Sequence, residues 1–417
     1  MQKKDCITIK YCRLCNSRKL KKVFDLGKTP LANSYSYEKK SKKLKRYPLN
    51  LNLCDSCGHL QLGHSIKPEK MFRNYLYKTN TSKKNFLHFK NYAKEVSKFF
   101  KKKKIKILDI ASNDGTFLGF FNKRKFIRLG IDPAKNLKKL ANRKGIKQID
   151  NFFTKKISND IKKKYGQFDI ITANHVCAHV ENLNDFFSGV QNLLTHNGVF
   201  IFEVSYRKCV LQKNTFDTIY HEHLDYHALF PISKFIKKFK LKLINFKITD
   251  AQGGSLRVYV SKNSKFKYQK KIDKQLLIER KKFKLFNINT YKKFEKEINK
   301  CKKKINVILK EFNKKNYRIA GYGAAAKTTT LLNYFELSEK NNIKFIFDDN
   351  NLKHGLCLPG TSIKILSPNF LNSKEIDILI IFAWNYSDVI IKNIRKKISF
   401  IKRGGKFLVP FPKPKII

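Results

Sequence analysis

Two C-x-x-C pairs, Cys12 with Cys15 and Cys54 with Cys57, constrain this chain more tightly than any other feature of its sequence. Zn²⁺ prefers four ligands at the corners of a tetrahedron, and an all-thiolate set makes a closed, structural site. Closing that site pins together two turns that are far apart along the chain. Gly58 follows the second pair, where a tight turn needs a positive φ. His59 stands beside the four thiols and reads as a bystander. The chain has nine cysteines, and an odd count with paired C-x-x-C spacing argues for metal and free thiols, not a disulfide framework. Cys6, Cys177, Cys209, Cys301 and Cys357 read as core or surface thiols. Residues 1–68 are therefore expected to form a small zinc module with little core of its own.

Beyond the module the pattern changes. Residues 69–104 read as helical, from Glu69 through Tyr75, Phe86, Phe89 and Tyr92 to Phe99 and Phe100, and end in the run Lys101–Lys104. Apolar strands then alternate with amphipathic helices. The strands are Ile105–Ile110, Arg128–Ile131, Phe168–Ala173 and Gly198–Val204, followed by Lys242–Lys247 and Ser255–Val260 around a Gln252-Gly253-Gly254 turn. Alternation of this kind predicts an α/β fold with a mostly parallel sheet. A sheet that ends in such a pair matches the seven-stranded, Rossmann-like methyltransferase architecture, expected over residues 69–262. Residues 268–315 lack Gly and Pro and read as a long charged helical region, an inter-domain connector. A second Rossmann-like α/β unit completes residues 263–417, with strands at Tyr317–Ala320, Ile343–Phe347, Ile376–Phe382 and Gly405–Val409.

No apolar run approaches the ~20 residues of a membrane helix, and the N-terminus lacks the apolar core of a signal peptide. The expected setting is cytoplasmic, without membrane. Ninety Lys and Arg oppose 31 Asp and Glu, a net charge of +59. The excess is mostly Lys and is spread along the whole chain beside abundant Ile, Asn, Phe and Tyr. That dispersion reads as codon composition, whereas a nucleic-acid binder should show a clustered stripe. The charge favours anionic small substrates.

Four motifs carry chemistry. After the first strand comes Asp109-Ile110-Ala111-Ser112-Asn113-Asp114-Gly115, a small-residue turn into a helix that lets backbone amides approach a ligand. One strand later Asp132 can accept both hydroxyls of a ribose. G-x-G-x-x-G is absent, so an adenosine cofactor without a pyrophosphate, S-adenosylmethionine, fits better than NAD. Asp109, Ala111, Ser112, Asn113, Gly115 and Asp132 are its candidate contacts. Asn174 and His179 end the following strand, where ligands of such sheets bind. The densest constellation is Tyr220-His221-Glu222-His223-Leu224-Asp225-Tyr226-His227. Histidine exchanges its proton near neutral pH, so an acid–base cluster is expected there; the H-E-H spacing is not that of H-E-x-x-H zinc enzymes. Finally, Gly321-Tyr322-Gly323-Ala324-Ala325-Ala326-Lys327 follows a strand, where amides and Lys327 can meet a phosphate.

Taken in order, these residues resemble the three-domain, zinc-containing sugar C-methyltransferases of deoxysugar pathways. The resemblance runs through Cys12-Arg13-Leu14-Cys15, Leu26-Gly27-Lys28-Thr29-Pro30-Leu31-Ala32, Cys54–Leu62, Ala111–Gly115, Tyr220–His223, Gly253-Gly254-Ser255-Leu256-Arg257, Gly321–Lys327 and Phe382-Ala383-Trp384-Asn385-Tyr386. It implies S-adenosylmethionine as methyl donor, structural zinc, and a nucleotide-linked 4-keto sugar methylated at C3 through an enolate. It implies His223 as base, with Tyr220, Glu222 and His179 around the sugar. His221, Arg257, Tyr322 and Lys327 are the expected substrate contacts, and Tyr75 and Tyr77 are expected near the methyl-transfer site, Tyr77 against the cofactor. Ala111 departs from the glycine usual at its position.

Two other readings stay open on the sequence. One is a SAM enzyme acting on O or N atoms or on another small carbonyl compound. The other is a zinc-ribbon nucleic-acid binder or RNA methyltransferase.

Overall fold

A computed structural model describes residues 5–72, 83–263, 268–371, 373, 375–395 and 398–417. Tyr75 and Tyr77 lie outside the described residues. The chain divides into two compact units. The first gathers Met1–Lys21, Asn52–Lys208 and Leu224–Asn287; the second gathers Lys22–Leu51, Cys209–His223 and Ile288–Ile417.

The first unit is built on seven strands: β1 (Ile105–Ile110), β2 (Phe126–Ile131), β3 (Lys147–Ile149), β4 (Phe168–Asn174), β5 (Leu194–Ser205), β6 (Lys242–Thr249) and β7 (Ser255–Ser261). Their order is β6-β7-β5-β4-β1-β2-β3, with β7 antiparallel to both neighbours and the remaining pairings parallel. The strands are nearly continuous runs of Ile, Leu, Val and Phe because helices cover both faces of a parallel sheet. Helix α1 (Lys83–Val96) supplies one cover, burying Phe89, Tyr92, Ala93 and Val96 at helical spacing against Ile105, Ile107 and Ile201. The run Lys101–Lys104 is exposed. Strand order reverses direction between β1 and β4, so the ends of β1, β2 and β4 bound the crevice where such sheets take ligands.

The second unit carries β8 (Ile319–Tyr322), β9 (Ile343–Phe347), β10 (Lys364–Leu366), β11 (Ile378–Ile381), β12 (Lys406–Val409) and β13 (Lys415–Ile416), in the order β10-β9-β8-β11-β12-β13. All its pairings are parallel except β12 with β13. Its switch point falls between β8 and β11. Phe347, Leu379, Ile381, Phe400 and Phe407 form its core.

The helical connector expected over 268–315 is present, with one interruption. Gln269–Leu277 runs into a π turn, Ile278–Lys282, and a 27-residue helix restarts at Ile288–Lys314. The break has a polar cause. Glu279 is fully buried, and its carboxylate accepts the Tyr206 hydroxyl (2.7 Å) and the amides of Leu229 and Phe230 (2.8 Å each). Leu285 is buried just beyond it, and Lys284 takes a positive φ of 46°. Among the described residues no helix is long and apolar enough to cross a membrane.

Candidate functional site

The four thiols come together in the first unit. Their sulfur atoms all lie within 4.8 Å of one another, with Cys12–Cys57 at 3.5 Å and Cys15–Cys54 at 3.6 Å. Zn–S bonds of about 2.3 Å give tetrahedral edges of about 3.8 Å, so the set fits zinc. Each pair sits on the same turn: Asn16 N–H donates to Cys12 O and Gly58 N–H to Cys54 O, both at 2.8 Å. Asn16 and Gly58 close these turns at φ 61° and 73°. A Cβ on Gly58 would also lie 2.1 Å from the Phe286 ring, so only glycine fits. His59 is not a ligand; its Nε2 donates to Asp225 Oδ1 at 2.8 Å.

Arg13, between the first two cysteines, carries the knuckle outward. Its Nε donates to both oxygens of Asp225 (2.9 and 3.1 Å), and its Nη2 donates to the Val180 carbonyl. Burial alone would push the Asp225 carboxyl up, but Arg13 and then His59 outweigh it and hold it at about 2. Asp225 and Tyr226 pair as a short strand with Gln61 and Leu60, and Leu224 N–H donates to Ala178 O at 2.7 Å. The zinc turns, the end of the His179 motif and the chain just after His223 are thus tied by one buried ion pair.

The β1 loop is built from left-handed residues: Ala111 at φ 55°, Asn113 at 53° and Gly115 at 72°. Ala111 explains why glycine suits its position, since an L side chain in that region costs roughly 1–2 kcal/mol. Asp132, at the end of β2, accepts Asn113 N–H on Oδ2 and Ala134 N–H on Oδ1, each at 2.8 Å. This fixes the carboxylate while leaving a second lone pair on each oxygen for hydroxyls. Asp109 is buried, and its Oδ1 accepts the Thr172 hydroxyl at 2.6 Å and the Asn174 amide at 3.3 Å. Burial pushes its carboxyl up to about 7, with Thr172 opposing and Asp132 adding to the rise. Ser112 is buried in the loop. Asp109, Asn174, Asn113 and Asp132 are therefore brought together at the ends of β1, β2 and β4.

Beside them lies a cluster that the sequence reading missed. Glu203, opposite Asn174 in the sheet, is buried and accepts His88 Nε2 (2.7 Å) and Arg257 Nη2 (2.8 Å), with His175 Nε2 at 3.4 Å. Burial raises the carboxyl, but His175, His88 and Arg257 reverse that and hold it well below the usual range. Arg257, expected at the substrate, is held here: it also pairs with Glu95 and stacks 3.4 Å above the Tyr92 ring. His179 lies on the turn after β4, its N–H donating to Val176 O at 2.7 Å.

The Tyr220–His223 cluster falls in the second unit. His223 Nδ1 donates to the Thr218 carbonyl at 2.7 Å, so Nδ1 carries the proton of the neutral ring and Nε2 is the lone-pair atom. Tyr220 O–H reaches that Nε2 at 2.9 Å, with the two rings 4.1 Å apart. Glu222 is buried, and its Oε1 accepts the Asn33 amide at 2.6 Å. Burial pushes this carboxyl up to about 7 against the opposing Asn33 bond. Asn33, which the sequence reading passed over, directly follows the Leu26–Ala32 motif. His221 Nε2 donates to Pro48 O at 3.3 Å, and its ring lies edge-on to Tyr47. In the same unit Tyr322 O–H donates to Asp349 at 3.1 Å, and Lys327 lies partly buried, facing the charge of Asp217. Gly323, at φ 96°, would place a Cβ 2.6 Å from Ala383. His179 and Arg257 belong to the first unit; Tyr220, His221, Glu222, His223, Tyr322 and Lys327 belong to the second.

A seven-stranded sheet of this order, acceptors at the ends of β1 and β2, and a four-thiolate knuckle fit a SAM-dependent methyltransferase with a zinc-binding domain. Known families agree, segment by segment: a zinc binding domain over residues 12–72, a methyltransferase domain over 86–244, and a C-methyltransferase C-terminal domain over 250–412. The chain is 28% identical over 408 residues to the C-methyltransferase NovU of Streptomyces niveus, covering 97% of this chain and 96% of that protein. Among solved structures it is similar to an S-adenosylmethionine-dependent methyltransferase of Clostridium acetobutylicum ATCC 824 (18% identity, TM-score 0.34, 44% of this chain and 92% of that one). It is also similar to magnesium protoporphyrin IX methyltransferase of Synechocystis PCC 6803 with bound SAM (10% identity, TM-score 0.32, 43% of this chain and 79% of that one).

Proposed function

We propose that this C-methyltransferase methylates C3 of a nucleotide-linked 4-keto deoxysugar, with His223 as the base. The observation that carries the reading is the fixed tautomer of His223. With Nδ1–H given to Thr218 O, the ring offers Nε2 as its only basic atom. Methylation at carbon needs such an atom beside an acidified C–H, whereas an O- or N-methyltransferase can use a lone pair already present on its substrate.

His223 Nε2 takes the C3 proton, and the electron pair of the C–H bond passes into an enolate on the C4 oxygen. Tyr220 O–H, released from Nε2, and the neutral Glu222 O–H donate to that oxygen; donors placed where charge develops lower the barrier most. When bound, S-adenosylmethionine would supply the electrophilic methyl group for C3, with its thioether as the leaving group. Asp132 and the Ala111–Gly115 amides hold the adenosine end, while Asp109 and Asn174 face the amino-acid end. His179 is assigned to the sugar. We assign the nucleotide to the switch point of the second sheet, where Tyr322 and Lys327 stand on the Gly321–Lys327 loop. The functional modules in this reading are residues 1–68, 69–262 and 263–417.

His223→Ala should abolish exchange of the substrate C3 proton with deuterated water in the absence of cofactor. Exchange at the parent rate would remove His223 as the base.

A further inference from the structure

The Phe382–Tyr386 motif has no role in the scheme above, and neither does the buried Asp217. The structure joins them. Trp384 Nε1 donates to Asp217 Oδ2 at 2.6 Å, and both residues are buried. Lys327 Nζ lies 5.4 Å from the centre of the Trp384 ring, and its charge faces Asp217. Asp217 is the middle residue of the turn Phe216–Thr218, and its carboxylate also faces the amide N–H groups of Asp217 and Thr218. That turn presents the Thr218 carbonyl to His223 Nδ1.

We propose that Asp217 is a positioning residue for methyl transfer: gripped by Trp384 and faced by Lys327, it holds the turn whose Thr218 carbonyl fixes the tautomer and aim of His223. The inference rests on the reading of His223 as the base. A carboxylate is costly to bury, and packing alone would not require one here. Phe216 already fills the apolar side of the turn, stacked 5.1 Å from Phe335 and edge-on to Phe411 at 5.3 Å. What Asp217 adds is direction. A hydrogen bond to an indole and an opposed ammonium fix the rotation of the turn, and the carbonyl beside it must point at one ring nitrogen. The arrangement also links Lys327, on the proposed nucleotide loop, to the base through two side chains.

The test uses the full-length, zinc-loaded protein with ¹⁵N-labelled histidine. His223 signals are assigned by difference with His223→Gln. The parent should show the Nδ1–H tautomer alone. Asp217→Asn and Trp384→Phe should each mix the two tautomers and lower kcat roughly tenfold to a hundredfold, with KM within about twofold, as expected for misplacing a reacting group. Phe335→Leu is the structural control: it should lower Tm and leave the tautomer intact. If both variants keep the pure Nδ1–H tautomer and a kcat within about twofold of the parent, the proposal is overturned. Should Asp217→Asn fail to fold, Trp384→Phe decides the matter alone. Failure of His223→Ala to block proton exchange would sink the base assignment instead, and the tautomer measurement would still judge the positioning claim.

Discussion

Replacing Asp225 by asparagine should loosen the link between the zinc knuckle and the strand that follows His223. The carboxyl is held at about 2 against roughly 3.9 in an unfolded chain, so at neutral pH the fold favours its ionised form by about 2.6 kcal/mol. Asparagine keeps one acceptor oxygen but leaves the Arg13 guanidinium, whose side chain is only 9% exposed, without a counter-charge. Removing one member of a buried pair costs about 3–5 kcal/mol in general, so a loss of about 3 kcal/mol is expected. Hydrogen exchange followed by mass spectrometry reads it directly. The amides of the paired segments Leu60–Leu62 and Asp225–Tyr226 should exchange on the order of a hundredfold faster in the variant. The difference should depend on pH in one direction. A depressed carboxyl contributes fully above its unfolded value, and the contribution is lost as pH falls through the folded value. The gap between parent and variant should therefore be complete above about pH 4 and close as pH falls towards 2. An acceleration below about threefold at neutral pH would refute the ion-pair reasoning.

Glu222 predicts the opposite trend, in activity. Its carboxyl is raised to about 7 by burial, so the O–H assigned to the enolate in the proposed mechanism is lost as pH rises through 7. The alkaline fall in kcat/KM should be present in the parent and absent from Glu222→Gln; a fall of equal size in both would exclude Glu222 as its source. Purified protein should hold about one zinc per chain, and stripping it should free Arg13 and raise exchange at Asp225–Tyr226. A cooperative fold with unchanged protection after zinc removal would contradict the clip. Asp109, raised to about 7 by burial, should lose about half a proton when a cationic ligand binds at pH 7. Calorimetry of SAM binding in two buffers of different ionisation enthalpy should show that release, and identical heats would count against Asp109 as a contact.

Local features were legible in the sequence. Cysteine spacing gave the zinc ligands and the positive φ of Gly58, because a metal site imposes its geometry on a few neighbouring residues. Apolar runs gave the strands of both sheets, since burial on two faces leaves little room for polar residues. The features missed are those set by distant partners. Nothing in the stretch Cys209–His223 signals that it packs with the C-terminal half; that depends on Phe216 meeting Phe335 and Phe411 and on Asp217 meeting Trp384. The connector broke at Phe283–Asn287 because Glu279, one charge among many in the sequence, turned out to be buried and hydrogen-bonded. Asn33 and Thr172 carried no spacing signal, and only the fold reveals the carboxylates they hold. Arg257 read as a substrate contact because it closes a Gly-Gly-Ser-Leu-Arg motif. The alternation of β7 places it beside Glu203, a partner the motif gave no sign of.

Whether a carbon atom receives the methyl group is the most direct question to put to this protein. The zinc-loaded enzyme should be incubated with ¹³C-methyl S-adenosylmethionine and a panel of nucleotide-linked 4-keto deoxysugars, and the product analysed by ¹³C–¹³C and ¹³C–¹H correlation. The expected product carries a labelled methyl bonded to C3, next to the ketone carbon, formed with the parent enzyme and not with His223→Ala. A label found on oxygen or nitrogen, or none transferred to any 4-keto sugar of the panel, would contradict C3 methylation through an enolate.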